Sequence, residues 1–69
     1  MCWHEIRNIL INARVSQKMS LTTLARITQT SPGYIHDIEI GRATPSLDML
    51  NRIANALNVK IYAESASEE

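Results

Sequence analysis

Residues 20–39 read SLTTLARITQTSPGYIHDIE. Ser20 suits the N-cap of a helix over about 21–28, with Leu24, Ala25 and Ile27 on its inner face. Gln29 and Thr30 fall in a turn. Ser31 caps the next helix, and Pro32 takes its first position, where a missing N–H costs nothing. Ile35 and Ile38 point inward, while Tyr34, His36 and Asp37 lie on or near the outer faces. This helix ends near Ile40, with Gly41 as the residue after its cap. The segment is two short helices joined by a tight turn, the second opening on a polar, outward face.

On the N-terminal side, residues 3–17 carry Ile6, Ile9, Leu10 and Ala13 at the i, i+3, i+4, i+7 spacing of an amphipathic helix. Ile11 and Val15 widen its apolar face, and Lys18 sits where the chain must turn. On the C-terminal side, Arg42-Ala43-Thr44-Pro45 is a loop. Ser46 caps a fourth helix over about 47–57, with Asp48 near the positive end of its dipole. Leu47, Leu50, Ile53, Ala54 and Leu57 follow helical spacing and fill the core, and Asn58 is a left-handed stop residue. Residues 60–64 alternate in part and carry β-branched and aromatic side chains, which favours a short strand. A lone strand is unstable, and the same strand of a second copy is its simplest partner.

The chain has 69 residues, enough for one domain. A domain this short buries only about 60% of its unfolded surface and needs a dense core, an oligomer, a metal or disulfides. Cys2 is the sole cysteine, so no internal disulfide forms. Cys2 and His4 are two candidate ligands at a chain end, too few for a metal site, and we expect no metal and no cofactor. A dense helical core plus a dimer remains. No apolar run reaches the ~18 residues of a membrane span, and no basic region precedes an apolar one as in a signal peptide. The expectation is a cytoplasmic, nucleoid-associated protein without membrane contact.

Seven basic and seven acidic residues give zero net charge. Glu64, Glu68 and Glu69 lie in the tail AESASEE, so residues 1–63 hold seven basic and four acidic groups, a balance of +3. Residues 1–63 are read as the folded domain and 64–69 as a disordered acidic tail. Catalysis finds no support: there is no Ser/His/Asp arrangement, no Gly-rich phosphate loop and no H-E-x-x-H, and His36 and Asp37 point in different directions. The outward helix suits another task. A major groove about 12 Å wide accepts one helix, braced by a second that crosses the backbone. Backbone N–H groups at the starts of the second, third and fourth helices can hold phosphate oxygens, with Ser20, Thr22, Arg42 and Thr44 placed to help. A plain helical scaffold whose polar face meets water is the competing reading.

The segment from about Leu10 to Val59 resembles the phage-repressor/Cro-like helix-turn-helix family, also called the xenobiotic-response-element family. Leu10, Arg14, Ser20, Leu24-Ala25, Ser31, Ile35, Ile38-Glu39, Gly41, Pro45-Ser46-Leu47, Leu50, Ile53-Ala54 and Ala56-Leu57 carry the resemblance, across about 50 of the 69 residues. It implies an all-α, compact repressor-type domain of four to five helices, with a short C-terminal strand at a dimer interface. It also implies a buried ion pair between Arg14 and Glu39. Base contact falls to Pro32, Gly33, Tyr34 and Asp37, and phosphate contact to Lys18, Thr22, Ser31, Arg42 and Thr44. His36 either donates to phosphate when protonated or is merely exposed. The chain departs from the family at Leu21, where Gln usually touches phosphate, and at Lys18 and Gln29, where Gly is frequent. Leu21 is free to serve an interface instead.

Val59-Lys60-Ile61-Tyr62 resembles the strand that pairs across the dimer in antitoxin-type members, which implies a dimer interface at Lys60, Ile61, Tyr62 and Ala63. The reading is a sequence-specific, duplex-DNA-binding homodimer that regulates transcription, as a repressor. Two alternatives stand beside it: an antitoxin that binds both operator and toxin, and a protein-interaction module that has kept the fold without DNA.

Overall fold

A computed structural model describes residues 2–60 of the chain. Four helices make up the described part: α1 (Trp3–Ser16), α2 (Leu21–Thr28), α3 (Pro32–Glu39) and α4 (Leu47–Ala56). The architecture is all-α, and none of these helices is long and apolar enough to cross a membrane. Ile61, Tyr62 and Ala63 of the expected strand, and the tail 64–69, lie outside the described residues.

Each short helix starts on a serine. The Ser20, Ser31 and Ser46 hydroxyls accept from the backbone N–H of Thr23, Tyr34 and Met49 at 3.0, 3.1 and 3.1 Å. Each cap satisfies one of the donors that a helix start leaves open. At α1 the Glu5 carboxylate instead reaches back to accept from the Cys2 N–H at 3.2 Å.

Each helix stops in the same way. Lys18, Gln29, Gly41 and Asn58 have φ of 56°, 62°, 87° and 60°. The residue after each donates back across the last turn, Met19 to the Arg14 carbonyl, Thr30 to Ala25, Arg42 to Asp37 and Val59 to Ala54, at 2.8–3.0 Å. This is the left-handed closing turn that glycine adopts without strain. Only Gly41 is glycine among these stops. A non-glycine residue held there costs about 1 kcal/mol or more. Gln29→Gly is therefore expected to raise Tm by about 5 °C, because its exposed side chain contributes little packing. An unchanged or lower Tm in a thermal melt would show that the left-handed turn is unstrained.

The core is Leu10 of α1, Leu24 and Ala25 of α2, Ile35 and Ile38 of α3, and Ile53, Ala54 and Leu57 at the end of α4. α2 packs on both α3 and α4, and α1 packs on α3. The Gln17 amide donates to the Leu57 carbonyl at 2.7 Å and ties the ends of α1 and α4 together.

Four apolar residues expected on inner faces lie outside. Ile27 is 51% exposed and Thr28 is buried in its place. At about 100° per residue, Leu21, Leu24, Ala25 and Thr28 share one arc, and Ile27 falls off it. Thr28 tolerates burial because its hydroxyl donates to the Leu24 carbonyl at 2.8 Å. Ile9 lies at the edge of the α1 arc that Ile6, Leu10 and Ala13 define, Val15 lies on the opposite side of the helix, and both are exposed. Leu47 is 73% exposed because it is the first residue of α4, at the rim of the α4 stripe formed by Leu50, Ile53, Ala54 and Leu57. Leu21, left free for an interface by its sequence, packs against the core instead.

Candidate nucleic-acid interface

Among the described residues, nothing covers the outward side of α3. Ile35 and Ile38 fasten α3 from below, and Ser31, Pro32, Gly33 and His36 are exposed above. Asp37 is half-buried at the edge of that surface. Tyr34 does not stand outward: it is half-buried and packs against the core, because it lies well to the side of the line through Gly33 and Asp37.

The helix starts differ as anion seats. In each, the serine oxygen takes the third N–H, which leaves the first two pointing out. For α2 these are Leu21 and Thr22, with no acidic residue in the first turn. For α3 only Gly33 offers one, since Pro32 has no N–H. For α4 the turn carries Asp48, whose carboxylate opposes an anion even though Arg52 lies 3.2 Å away. The start of α2 is thus the least encumbered. Thr22, Lys18, Arg42 and Thr44 are all exposed. The Arg42 guanidinium is 74% exposed and stands 3.9 Å from the Asp37 carboxylate, which is 36% exposed. That separation is too long for a hydrogen bond and leaves both groups available.

The far end of α3 is fixed electrostatically. Arg14 donates through Nε and Nη2 to the two Glu39 oxygens at 2.7 and 3.0 Å, and through Nη1 to the Met19 carbonyl at 2.8 Å. The two side chains are only 16% and 15% exposed. This bidentate fork fits one orientation of α3 against α1.

Arg7 is a residue that the sequence did not single out. It lies two turns before Arg14 on the same face of α1. Its guanidinium packs over Gly41, where an added Cβ would collide with Nη1. Arg7 Nη2 bonds His4 Nδ1 at 3.0 Å, while its buried Nε has no partner among the described residues. Gly41 is thus required twice, by its positive φ and by the Arg7 side chain lying on it. A Gly four residues after Asp37 in the sequence signals the turn but not the arginine above it.

Lys60 is exposed, and the rest of the proposed dimer strand lies outside the described residues. Among the described residues no cluster of three or more His, Cys, Asp or Glu side chains could hold a metal ion.

With four capped helices, the α2–α3 turn and the buried fork to Glu39 in place, the family model for helix-turn-helix proteins matches residues 10–62. The chain belongs to the helix-turn-helix family, of the Cro/C1 type. It is similar to transcriptional regulator ClgR of Mycobacterium tuberculosis, with 34% identity over 56 residues, 81% of this chain and 50% of the relative. It is similar to multiprotein-bridging factor 1 of Debaryomyces hansenii, with 34% identity over 56 residues, 81% of this chain and 37% of the relative. It is also similar to multiprotein-bridging factor 1a of Arabidopsis thaliana, with 30% identity over 57 residues, 83% of this chain and 40% of the relative. The chain spans half or less of the length of these relatives. No solved structure matches it significantly.

Proposed function

We propose that this helix-turn-helix domain binds duplex DNA and regulates transcription, with α3 as the helix that enters the major groove. The observation that carries the reading is the free tip of α3: Ser31, Pro32 and Gly33 exposed, over an underside held by Ile35 and Ile38. Gly33, Asp37 and Pro32 face the bases in this reading, with Tyr34 limited to its hydroxyl at the flank. Lys18, Thr22, Ser31, His36, Arg42 and Thr44 face phosphates. The Arg14–Glu39 fork sets the angle of the helix. A homodimer would set two such helices about 34 Å apart on a near-palindromic operator, and occupancy of that site would repress. The similarity to a protein named a transcriptional regulator supports this reading.

Arg42→Ala tests it. Binding to every duplex should weaken, and the slope of log K against log salt should fall by about one. An unchanged slope in a fluorescence titration removes Arg42 from the phosphate contacts.

A second reading rests on the outer surface. Val15, Ile27, Ile40 and Leu47 are exposed apolar side chains, and two of the relatives are named multiprotein-bridging factors. A domain that bridges proteins and has lost DNA would show these features. A mobility-shift assay at low salt separates the two: a folded protein that shifts no duplex is the bridging module.

A further inference from the structure

Helical geometry places Gly33, His36, Asp37 and Ile40 on the outward side of α3, opposite Ile35 and Ile38. Gly33 has no positive φ, and a Cβ built on it would meet nothing within 4 Å. Neither backbone conformation nor packing inside this chain calls for a glycine there, and glycine weakens a helix relative to alanine. What glycine gives is external. With Pro32 beside it, the first turn of α3 carries no long side chain, so its backbone can approach a partner closely.

Asp37 lies one turn beyond Gly33 on that side. Its side chain is short and reaches a base edge only from a helix seated deep in the groove. No hydrogen bond occupies its carboxylate among the described residues, and its nearest counter-charge, Arg42, stands off at 3.9 Å. A carboxylate only accepts. It is repelled by phosphates and by the acceptor-rich edges of guanine and thymine. Adenine sets an acceptor beside its one donor, whereas cytosine presents its amino group alone.

We infer that Asp37 is a specificity residue that selects cytosine by exclusion, and that Gly33 is the positioning residue that lets it reach. Asp37 weakens contact with duplex DNA in general and is compensated only where a cytosine lies opposite. The inference rests on the DNA-binding reading above and names what that surface selects.

The test selects duplexes from a random pool with the full chain as wild type, Asp37→Ala, Asp37→Asn and Gly33→Gln. It titrates each protein against the wild-type selected duplex and a scrambled one, with a thermal melt of every variant. Wild type should favour cytosine at one position of the site by about tenfold over other bases. Asp37→Ala should bind the scrambled duplex severalfold more tightly and show no preference at that position. Asp37→Asn should move the preference to adenine, whose edge an amide matches with two bonds. Gly33→Gln should melt at or slightly above wild type, because its side chain meets empty space in the protein and glycine weakens a helix, and it should lose the cytosine preference, because that side chain holds the helix off the bases.

The inference is overturned if Asp37→Ala keeps the preference or gains nothing on scrambled DNA. It is also overturned if Gly33→Gln keeps the preference. If folded wild type retains no duplex at low salt, the DNA-binding reading falls and takes this inference with it. A wild type that binds while the variants select unchanged sites sinks the inference alone.

Discussion

Glu39→Ala should lower the unfolding free energy by about 3–5 kcal/mol, because it leaves the Arg14 guanidinium largely buried without its counter-charge. A domain of 69 residues is expected to have a stability of roughly 3–10 kcal/mol in total. The substitution therefore removes a large share of it, and Tm should fall by about 15–20 °C. Arg14→Ala should cost a similar amount, and it also frees the Met19 carbonyl in the α1–α2 turn. The pair itself need not stabilise the fold. Exchanging both partners for apolar residues, Arg14→Met with Glu39→Leu, should return stability to within about 1–2 kcal/mol of wild type, because no orphan charge remains. Urea denaturation of the two singles and the double variant gives the coupling. Singles that each lose under 1 kcal/mol would mean that water reaches the fork and that it behaves as a surface pair.

Ile35→Ala should cost about 2–5 kcal/mol. Ile35 is 1% exposed and belongs to the core that seats α3. Truncation removes buried methyl groups and leaves a cavity that α2 can close only by moving α3. The urea midpoint should fall with the m-value unchanged, as for a loss of stability without a change in the unfolded chain. Ile35→Val should lose only about 0.5–1.5 kcal/mol, and that graded pair identifies packing as the cause. Equal losses from both variants would place the whole effect at the Cδ1 methyl, the one group that both remove.

Local signals in the chain proved the most legible. Ser20, Ser31 and Ser46 act within three residues of themselves, so their caps follow from residue type and spacing alone. Asn58 was readable for the same reason. Lys18 and Gln29 were not: neither residue type announces a left-handed turn, and only the family resemblance pointed there. Direction was harder to read than element type. Hydrophobicity stood in for inwardness at Ile27 and Leu47, whereas the angular position on the helix and the place of its first residue decide the matter. Thr28 is inward because a hydroxyl can bond its own helix.

Tyr34 and Arg7 show the limit at the candidate site. Tyr34 is polar at its tip and apolar along its ring, and the ring found the core. Arg7 carries a charge that suggests solvent, yet its guanidinium lies over Gly41. Nothing in the spacing reveals that a glycine in one turn makes room for an arginine two helices earlier. Long side chains bury their stems wherever a flat surface is offered.

The two arginines of α1 clamp the same end of α3, Arg14 at Glu39 and Arg7 over Gly41. α3 is thus a cantilever, rooted at its C-terminal end and free at Ser31–Gly33. Pro32 and Gly33 at that end can be exchanged with little stress on the root, whereas Ser31 holds the cap. The same frame could then carry a new address simply by rewriting its tip.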